Sequence, residues 1–445
     1  MRSSRAIAAI AVAVATATAA AACSGGSSSS SSSSTSTGST SSASSSASAA
    51  TKVTLTWWNN ATAQPLLGVW QSVIKSFEAT HPGITIQNVP VQNEQFTTKI
   101  PLALESSNPP DIYQQWGGGQ EATQVKSGKL TDLTSSVSSW IGQLGTAAAG
   151  WQVAGKQYGV PFDLHVVGFW YRKDLFQKAG ISSPPTTVAA LESDDAKLKA
   201  AGITPMAIGS KDRWPDAFWW EYFAVRECPQ SVIQSAMTSV NLSNSCFAKA
   251  GTDLTSFMAT NPFQTGFLGT PAQTGAGSSA GLVASGKAAM ELQGDWDPSV
   301  MEGVSTNKNL SSELGWFPFP AVSGAKGDAT AVLGGGDGMS CTTGASTSAC
   351  AAFLQYLDST PIQMQLIKVA SPGLPANPAA ASAITLPAEQ TAAAADKAAS
   401  YTATYFDTAM PTQPGQNLDN AVANYFANPS ESTANSIITS VNGPA

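Results

Sequence analysis

The sequence has little histidine, little charge and few cysteines. Only His81 and His165 occur among 445 residues, so a histidine-built metal centre or a His-based catalytic dyad has scant material. Charged residues make up 11% of the chain and form no basic cluster, which argues against nucleic-acid binding and against capture of anions by a general field. None of the five cysteines stands in Cys-x-x-Cys spacing, so structural zinc is disfavoured. The many serines have no nucleophile elbow around them. The run Gly334-Gly335-Gly336-Asp337-Gly338 lacks the lysine and the Ser/Thr of a phosphate loop. Paired carboxylates such as Asp163 and Asp295 could imitate a glycosidase couple, but nothing in the sequence fixes their separation. No enzyme is expected, and no cofactor or metal.

What is present begins with an export signal. Arg2 and Arg5 precede the apolar stretch Ala6 to Ala22, which is too short and alanine-rich for a stable membrane span. Ala20-Ala21-Ala22-Cys23-Ser24-Gly25 resembles a bacterial lipobox, so residues 1–23 are expected to be a lipoprotein signal. Lipidated Cys23 would then anchor the protein at the extracellular face of the bacterial cell membrane. Residues 24–50 are almost entirely Ser, Thr, Ala and Gly, and a segment with nothing to bury is expected to serve as a flexible tether. With Arg2 and Arg5 removed, 20 basic residues face 29 acidic ones, a net charge of about −9. The four remaining cysteines allow three pairings. The two local ones, Cys228–Cys246 and Cys341–Cys350, are the natural choice in an exported chain, with zinc ligation as the rival.

From about Thr51 the pattern alternates between strand and helix periods. Lys52 to Trp57 alternates apolar and polar as a first strand, and Leu66, Leu67, Trp70, Val73, Ile74 and Phe77 mark one face of a helix begun near Pro65. Ile84 to Val89 reads as a second strand, Phe96, Ile100, Ala103 and Leu104 as a second helix, and Asp111-Ile112-Tyr113 as a third strand. This βαβαβ order implies a parallel sheet covered on both faces. Ligands of such sheets gather beyond the carboxyl ends of the strands, where Asn59, Asn60, Trp116 and Gly117 fall. Further on, Leu314 to Pro320 reads as a return crossing because its prolines favour an extended linker. The alanine-rich tail is helical in tendency, packing through Leu418, Val422, Tyr425 and Phe426.

Tyr158-Gly159-Val160-Pro161-Phe162, Trp170-Tyr171-Arg172-Lys173-Asp174-Leu175-Phe176 and Ala179-Gly180 mark the point where the chain turns on itself. Around them stand Trp57-Trp58-Asn59, Pro109-Pro110-Asp111-Ile112, Trp116-Gly117-Gly118, Gly286-Lys287-Ala288-Ala289-Met290 and Gly294-Asp295-Trp296. In this order and spacing, from Thr51 to about Val369, the sequence resembles the carbohydrate-binding family of bacterial extracellular solute-binding proteins of ABC importers. The resemblance implies an α/β, periplasmic-binding-protein-like type II fold with two lobes joined by crossing strands at a hinge. One lobe would hold 51–162 plus 317–368, and the other 163–316 plus 369–445. It also implies a monomeric receptor that binds a sugar between its lobes and delivers it to membrane permease subunits.

A sugar site needs aromatic plates for C–H faces and planar groups for paired hydrogen bonds. Twelve tryptophans in a chain of low charge supply the plates. Trp116, Trp214 and Trp296 are assigned to the cleft; Trp70 to the core, with Trp219 and Trp220 there as well, one of them facing the rim. The polar candidates are Asn59, Asn60, Glu94, Asp163, His165, Lys211, Asp295 and Asp337, the last reaching the cleft because the glycines before it permit close backbone approach, with Gly117 of the strand-end loop beside them. The tryptophan supply favours a di- or oligosaccharide of xylo-, gluco- or chito-type. The alternatives are a non-sugar solute in the same fold, or a surface glycan-binding adhesion or sensory module without transport.

Overall fold

The computed structural model describes residues 52–443; the export signal, Cys23 and the serine-rich tether lie outside them. The first half opens β1 (Val53–Asn59), α1 (Leu66–Thr80), β2 (Ile84–Pro90), α2 (Asn93–Glu105), β3 (Ile112–Gln115) and α3 (Gly118–Lys126). β1 pairs in parallel with both β2 and β3, as the alternation of strand and helix periods requires. Trp57 on β1 and Trp70 on α1 meet edge to face at 5.2 Å, and Trp57 meets Phe353 at 5.1 Å, which builds the first core.

The chain then passes through β4 (Gly159–Pro161) into the ten-residue β5 (Asp163–Arg172), which is buried almost throughout. β5 is the spine of a second sheet. It pairs antiparallel with β7 (Ala288–Gly294), beyond which lies β6 (Thr204–Met206). α4 (Trp214–Glu227) packs on this sheet and α5 (Ser245–Met258) packs on α4, and Trp219 and Trp220 of α4 are both fully buried, with neither at a rim.

The return crossing falls later than the prolines suggest. β8 (Leu314–Phe317) pairs antiparallel with β5, so this stretch stays in the second sheet. Phe317 stacks on Phe169 at 4.8 Å and Phe319 on Tyr222 at 4.5 Å, and this aromatic packing outweighs the linker tendency of Pro318 and Pro320. The crossing comes instead between β9 (Val332–Gly335), which pairs with β5, and β10 (Gly338–Cys341), which sits between β3 and β4. A third crossing runs from α6 (Thr360–Ala370), part of the first core, to β11 (Leu374–Pro375), again on β5. The tail adds β12 (Thr402–Thr404), parallel to β9, then α7 (Thr412–Ala427) and α8 (Glu431–Asn442). Leu418, Val422, Tyr425 and Phe426 are all buried, as their spacing predicts. The two sheets thus run in the orders β2-β1-β3-β10-β4 and β12-β9-β5-β7-β6.

Both local disulfides are formed. Cys228, at the end of α4, bonds Cys246 at the start of α5, and Cys341 on β10 bonds Cys350, with Cα–Cα distances of 5.2 and 6.4 Å. The first closes a loop of 18 residues. Replacing both Cys228 and Cys246 by serine is expected to cost about 3 kcal/mol, read as a lower denaturation midpoint. An unchanged midpoint would show that the loop is held by packing alone.

Candidate functional site

A cavity of about 700 Å³ opens where the carboxyl ends of the first sheet face the second. From the first sheet come Asn60 after β1, Glu94 in the first turn of α2, and Trp116 after β3. Facing them are Lys211, Asp212 and Arg213, then Trp214 and Phe218 of α4, and Trp296 at the end of β7. His165 on β5 and Asp337 in the β9–β10 crossing reach the cavity between the two sides.

The aromatic side is one connected set. Trp214 and Trp296 lie 6.2 Å apart, Trp214 meets Phe218 edge to face at 5.5 Å, and Phe218 lies 5.3 Å from Tyr405. The indole Nε1 atoms of Trp214 and Trp296 and the Tyr405 hydroxyl have no hydrogen-bond partner within the protein, although all three residues line the cavity. Trp116 packs edge-on against Phe96 at 5.6 Å on the other side.

The Trp296 ring lies against its own strand because residue 294 has no side chain. A Cβ there would come within 2.0 Å of Trp296 Cζ3. Gly294→Ala must therefore displace the ring, and we expect at least tenfold weaker ligand binding by calorimetry with little change in far-UV dichroism. Wild-type affinity in that variant would remove Trp296 from the binding surface.

Four of the sequence candidates do not reach the cavity. Asn59 is buried, donating to Asn88 Oδ1 at 2.6 Å and accepting from the Ala61 amide at 3.1 Å; it shapes the turn after β1. Gly117 adopts a positive φ of 73° and abuts the Gly150 carbonyl, so it makes the bend that starts α3. Asp163 is fully buried and its Oδ1 accepts from the Asp337 amide at 2.8 Å. Asp295 is buried with Oδ1 2.9 Å from His165 Nδ1. Neither carboxylate lines the cavity, and both stand beside His165, Asp163 Oδ1 at 3.3 Å from Nε2 and Asp295 Oδ1 at 2.9 Å from Nδ1. His165 also packs edge to face on Trp296 at 4.6 Å.

The site is acidic. Burial raises the Glu94 pKa, with Asp212 across the cleft adding to it and Lys211 opposing. Burial also raises Asp212, although the Ala272 amide donates to its Oδ2 at 2.7 Å. At the deep end Glu221, Asp407 and Asp419 all line the cavity, and burial together with mutual repulsion raises Glu221 and Asp419. Burial disfavours a charged His165 imidazole, but Asp163, Asp295 and Asp337 overcome it and raise its pKa.

Tyr405, Asp407, Asp419 and Asn420 were not legible as site residues, since they belong to a tail whose pattern reports only helix packing. Phe218 carried a partial signal, as a member of the aromatic run of α4. Gln64, Asn93 and Gln120, which also line the cavity, carried none.

A family model described as bacterial extracellular solute-binding protein matches residues 61–364, more than half of the chain. The chain belongs to that family. The family is one of binding receptors rather than enzymes, and no helix among the described residues is long and apolar enough to cross a membrane. This solute-binding protein is 26% identical over 281 residues to an uncharacterized ABC transporter extracellular-binding protein of Pyrococcus horikoshii; the match spans 60% of this chain and 59% of that relative. Among solved structures it resembles one from work on xylan utilization by the thermophilic bacterium Caldanaerobius polysaccharolyticus, with a TM-score of 0.79 and 25% identity over 86% of this chain and 99% of that one. A chitin oligosaccharide binding protein superposes with a TM-score of 0.76 at 22% identity, over 87% of this chain and 97% of that one. Both superpositions bear out the two-lobed, periplasmic-binding-protein-like α/β fold.

Proposed function

We propose that this protein is an extracellular receptor that binds a sugar of di- or oligosaccharide size and hands it to the permease of an ABC importer. The observation that carries the reading is the cavity itself. Its 700 Å³ falls within the roughly 300–1,000 Å³ of small-molecule sites, and indole rings stand on both sides of it. Trp116 on one side and Trp214 and Trp296 on the other offer plates for C–H faces. Asn60, Glu94, Asp337 and Lys211 offer planar or charged partners for hydroxyl pairs. The names of similar proteins, which speak of xylan utilization, chitin oligosaccharides and ABC transport, support the same reading.

Each sheet with its helices forms one lobe, and the three crossings at Phe162, Gly336–Asp337 and Ser371–Gly373 form the hinge. A ligand that touches both sides favours closure to the extent that it binds the closed form more tightly than the open one. No side chain in the cleft performs chemistry on the ligand. The lipid anchor on Cys23 and a monomeric receptor complete the proposal. Mass spectrometry of the mature N-terminus decides the first: an unmodified terminus downstream of Cys23 removes the anchor.

A thermal-shift panel of xylo-, gluco- and chito-oligosaccharides, with polyamines, peptides and polyols beside them, tests the ligand class. Stabilisation by a short oligosaccharide is expected. Stabilisation by a non-sugar solute alone, or binding only to long polymers, would replace this reading by another.

A further inference from the structure

We propose that Asp163, His165 and Asp337 form a binding site for a divalent first-row transition metal ion at the hinge, with its remaining coordination position facing the cleft. His165 Nε2 lies 3.3 Å from Asp163 Oδ1 and 3.6 Å from Asp337 Oδ2, and the three donor atoms fall within 4.8 Å of one another. These separations are long for hydrogen bonds, which favour about 2.7–3.2 Å. They suit a shared ion: ligand bonds of about 2.0–2.2 Å at tetrahedral angles place donor atoms about 3.3–3.6 Å apart.

Three further observations point the same way. His165 Nδ1 is 2.9 Å from Asp295 Oδ1, so that ring nitrogen carries the proton for Asp295 and Nε2 is directed at the two remaining carboxylates. This is the carboxylate–imidazole arrangement that orients a ligating histidine and raises its basicity. Asp163 is fully buried, yet its Oδ2 has no hydrogen-bond partner. Finally, among the described residues no lysine or arginine pairs with Asp163, Asp295 or Asp337. Three carboxylates therefore surround one imidazole, and a single imidazolium offsets only one of the three negative charges. A divalent ion offsets two, displacing the Nε2 proton as it binds.

The donor set of one imidazole and two carboxylates suits Zn²⁺, Co²⁺ or Mn²⁺ better than Ca²⁺, which takes oxygen ligands. Its placement matters to the hinge. Asp163 opens β5 just past the first crossing and Asp337 lies in the second, so the ion would tie two of the three connections together. Asp337 and His165 line the cavity, so the open position points at the ligand and suits a hydroxyl pair or a water. The site stands on this geometry and does not depend on which solute the cleft takes.

The test uses the untagged mature chain, stripped with EDTA and titrated with Co²⁺ and then Zn²⁺. Expected is one Co²⁺ per chain with a visible d–d absorption band, displaced by Zn²⁺, and a raised unfolding temperature. His165→Gln and Asp337→Asn should each weaken uptake at least about 100-fold, while His81→Gln leaves it unchanged. Asp337 makes its structural bonds through the main chain, its amide to Asp163 and its carbonyl to the Phe162 amide, so Asp337→Asn keeps the test decisive if His165→Gln fails to fold. Uptake far below one ion per chain at sub-millimolar Co²⁺ and Zn²⁺, or wild-type uptake in Asp337→Asn, overturns the site.

Discussion

Trp296→Ala is expected to weaken binding of the proposed oligosaccharide ligand on the order of 30- to 1,000-fold, which corresponds to the ~2–4 kcal/mol lost when an aromatic hot spot is truncated. The ring is held from three directions. Gly294 lets it lie flat on the strand, His165 meets its face edge-on at 4.6 Å, and Trp214 and Phe218 flank it at 6.2 and 6.5 Å. A side chain fixed in this way loses little conformational entropy on binding, so most of its contact energy appears as affinity. Trp116→Ala, on the opposite side, should give a loss of similar sign. If calorimetry gave Trp296→Ala a dissociation constant within about twofold of wild type, with folding intact, the cleft would bind its ligand elsewhere.

The second large effect is on stability against pH. Glu121 on α3 is fully buried, its Oε1 accepts from Ser340 Oγ at 3.3 Å and its Oε2 has no partner. Burial pushes its pKa from 4.5 up to about 8. Between those values the native state holds a proton that the unfolded chain has released. Stability from this group is therefore greatest below about pH 4.5 and is lost as pH rises toward about 8. At about 1.4 kcal/mol per unit the loss has an upper bound of about 5 kcal/mol, reduced by local relaxation and water entry. Asp195 and Asp216 are likewise raised to about 8, so the effect adds across sites. The protein is expected to resist urea better at pH 5 than at pH 8, and Glu121→Gln should remove about 2–4 kcal/mol of that difference. Equal pH dependence in wild type and Glu121→Gln would mean that Glu121 ionises without penalty.

How much of this could be read in advance differs from residue to residue. Strand and helix periods were strong signals: β1, α1, β2 and α2 stand where the alternation of Val53 to Trp57 and the spacing of Leu66 to Phe77 place them. Asn60, Glu94, Trp116, Lys211, Trp214, His165, Trp296 and Asp337 reach the cavity. The rule that ligands gather past strand ends depends on the order of elements, and sequence carries that order. The same rule could not separate Asn59 from Asn60, because neighbouring residues at a strand end point in opposite directions and only the turn geometry chooses between them. Nor could it tell that Asp163 and Asp295 stand beside His165 and outside the cavity lining. That depends on three segments far apart in sequence meeting at one point.

By itself the sequence determined the α/β class, the amphipathic faces and the family, since each of these follows from periodicity, spacing or the linear order of motifs; it favoured the local disulfide pairs, which the structure then formed. Tertiary structure decided where the chain crosses between sheets, which tryptophans face the cleft, and that the C-terminal tail returns to line it through Tyr405, Asp407 and Asp419. It also decided that the one histidine of β5 stands among three carboxylates. The reason is physical. Burial and charge environment are properties of the packed neighbourhood, and a residue's neighbours in space are set by contacts that its neighbours in sequence do not encode.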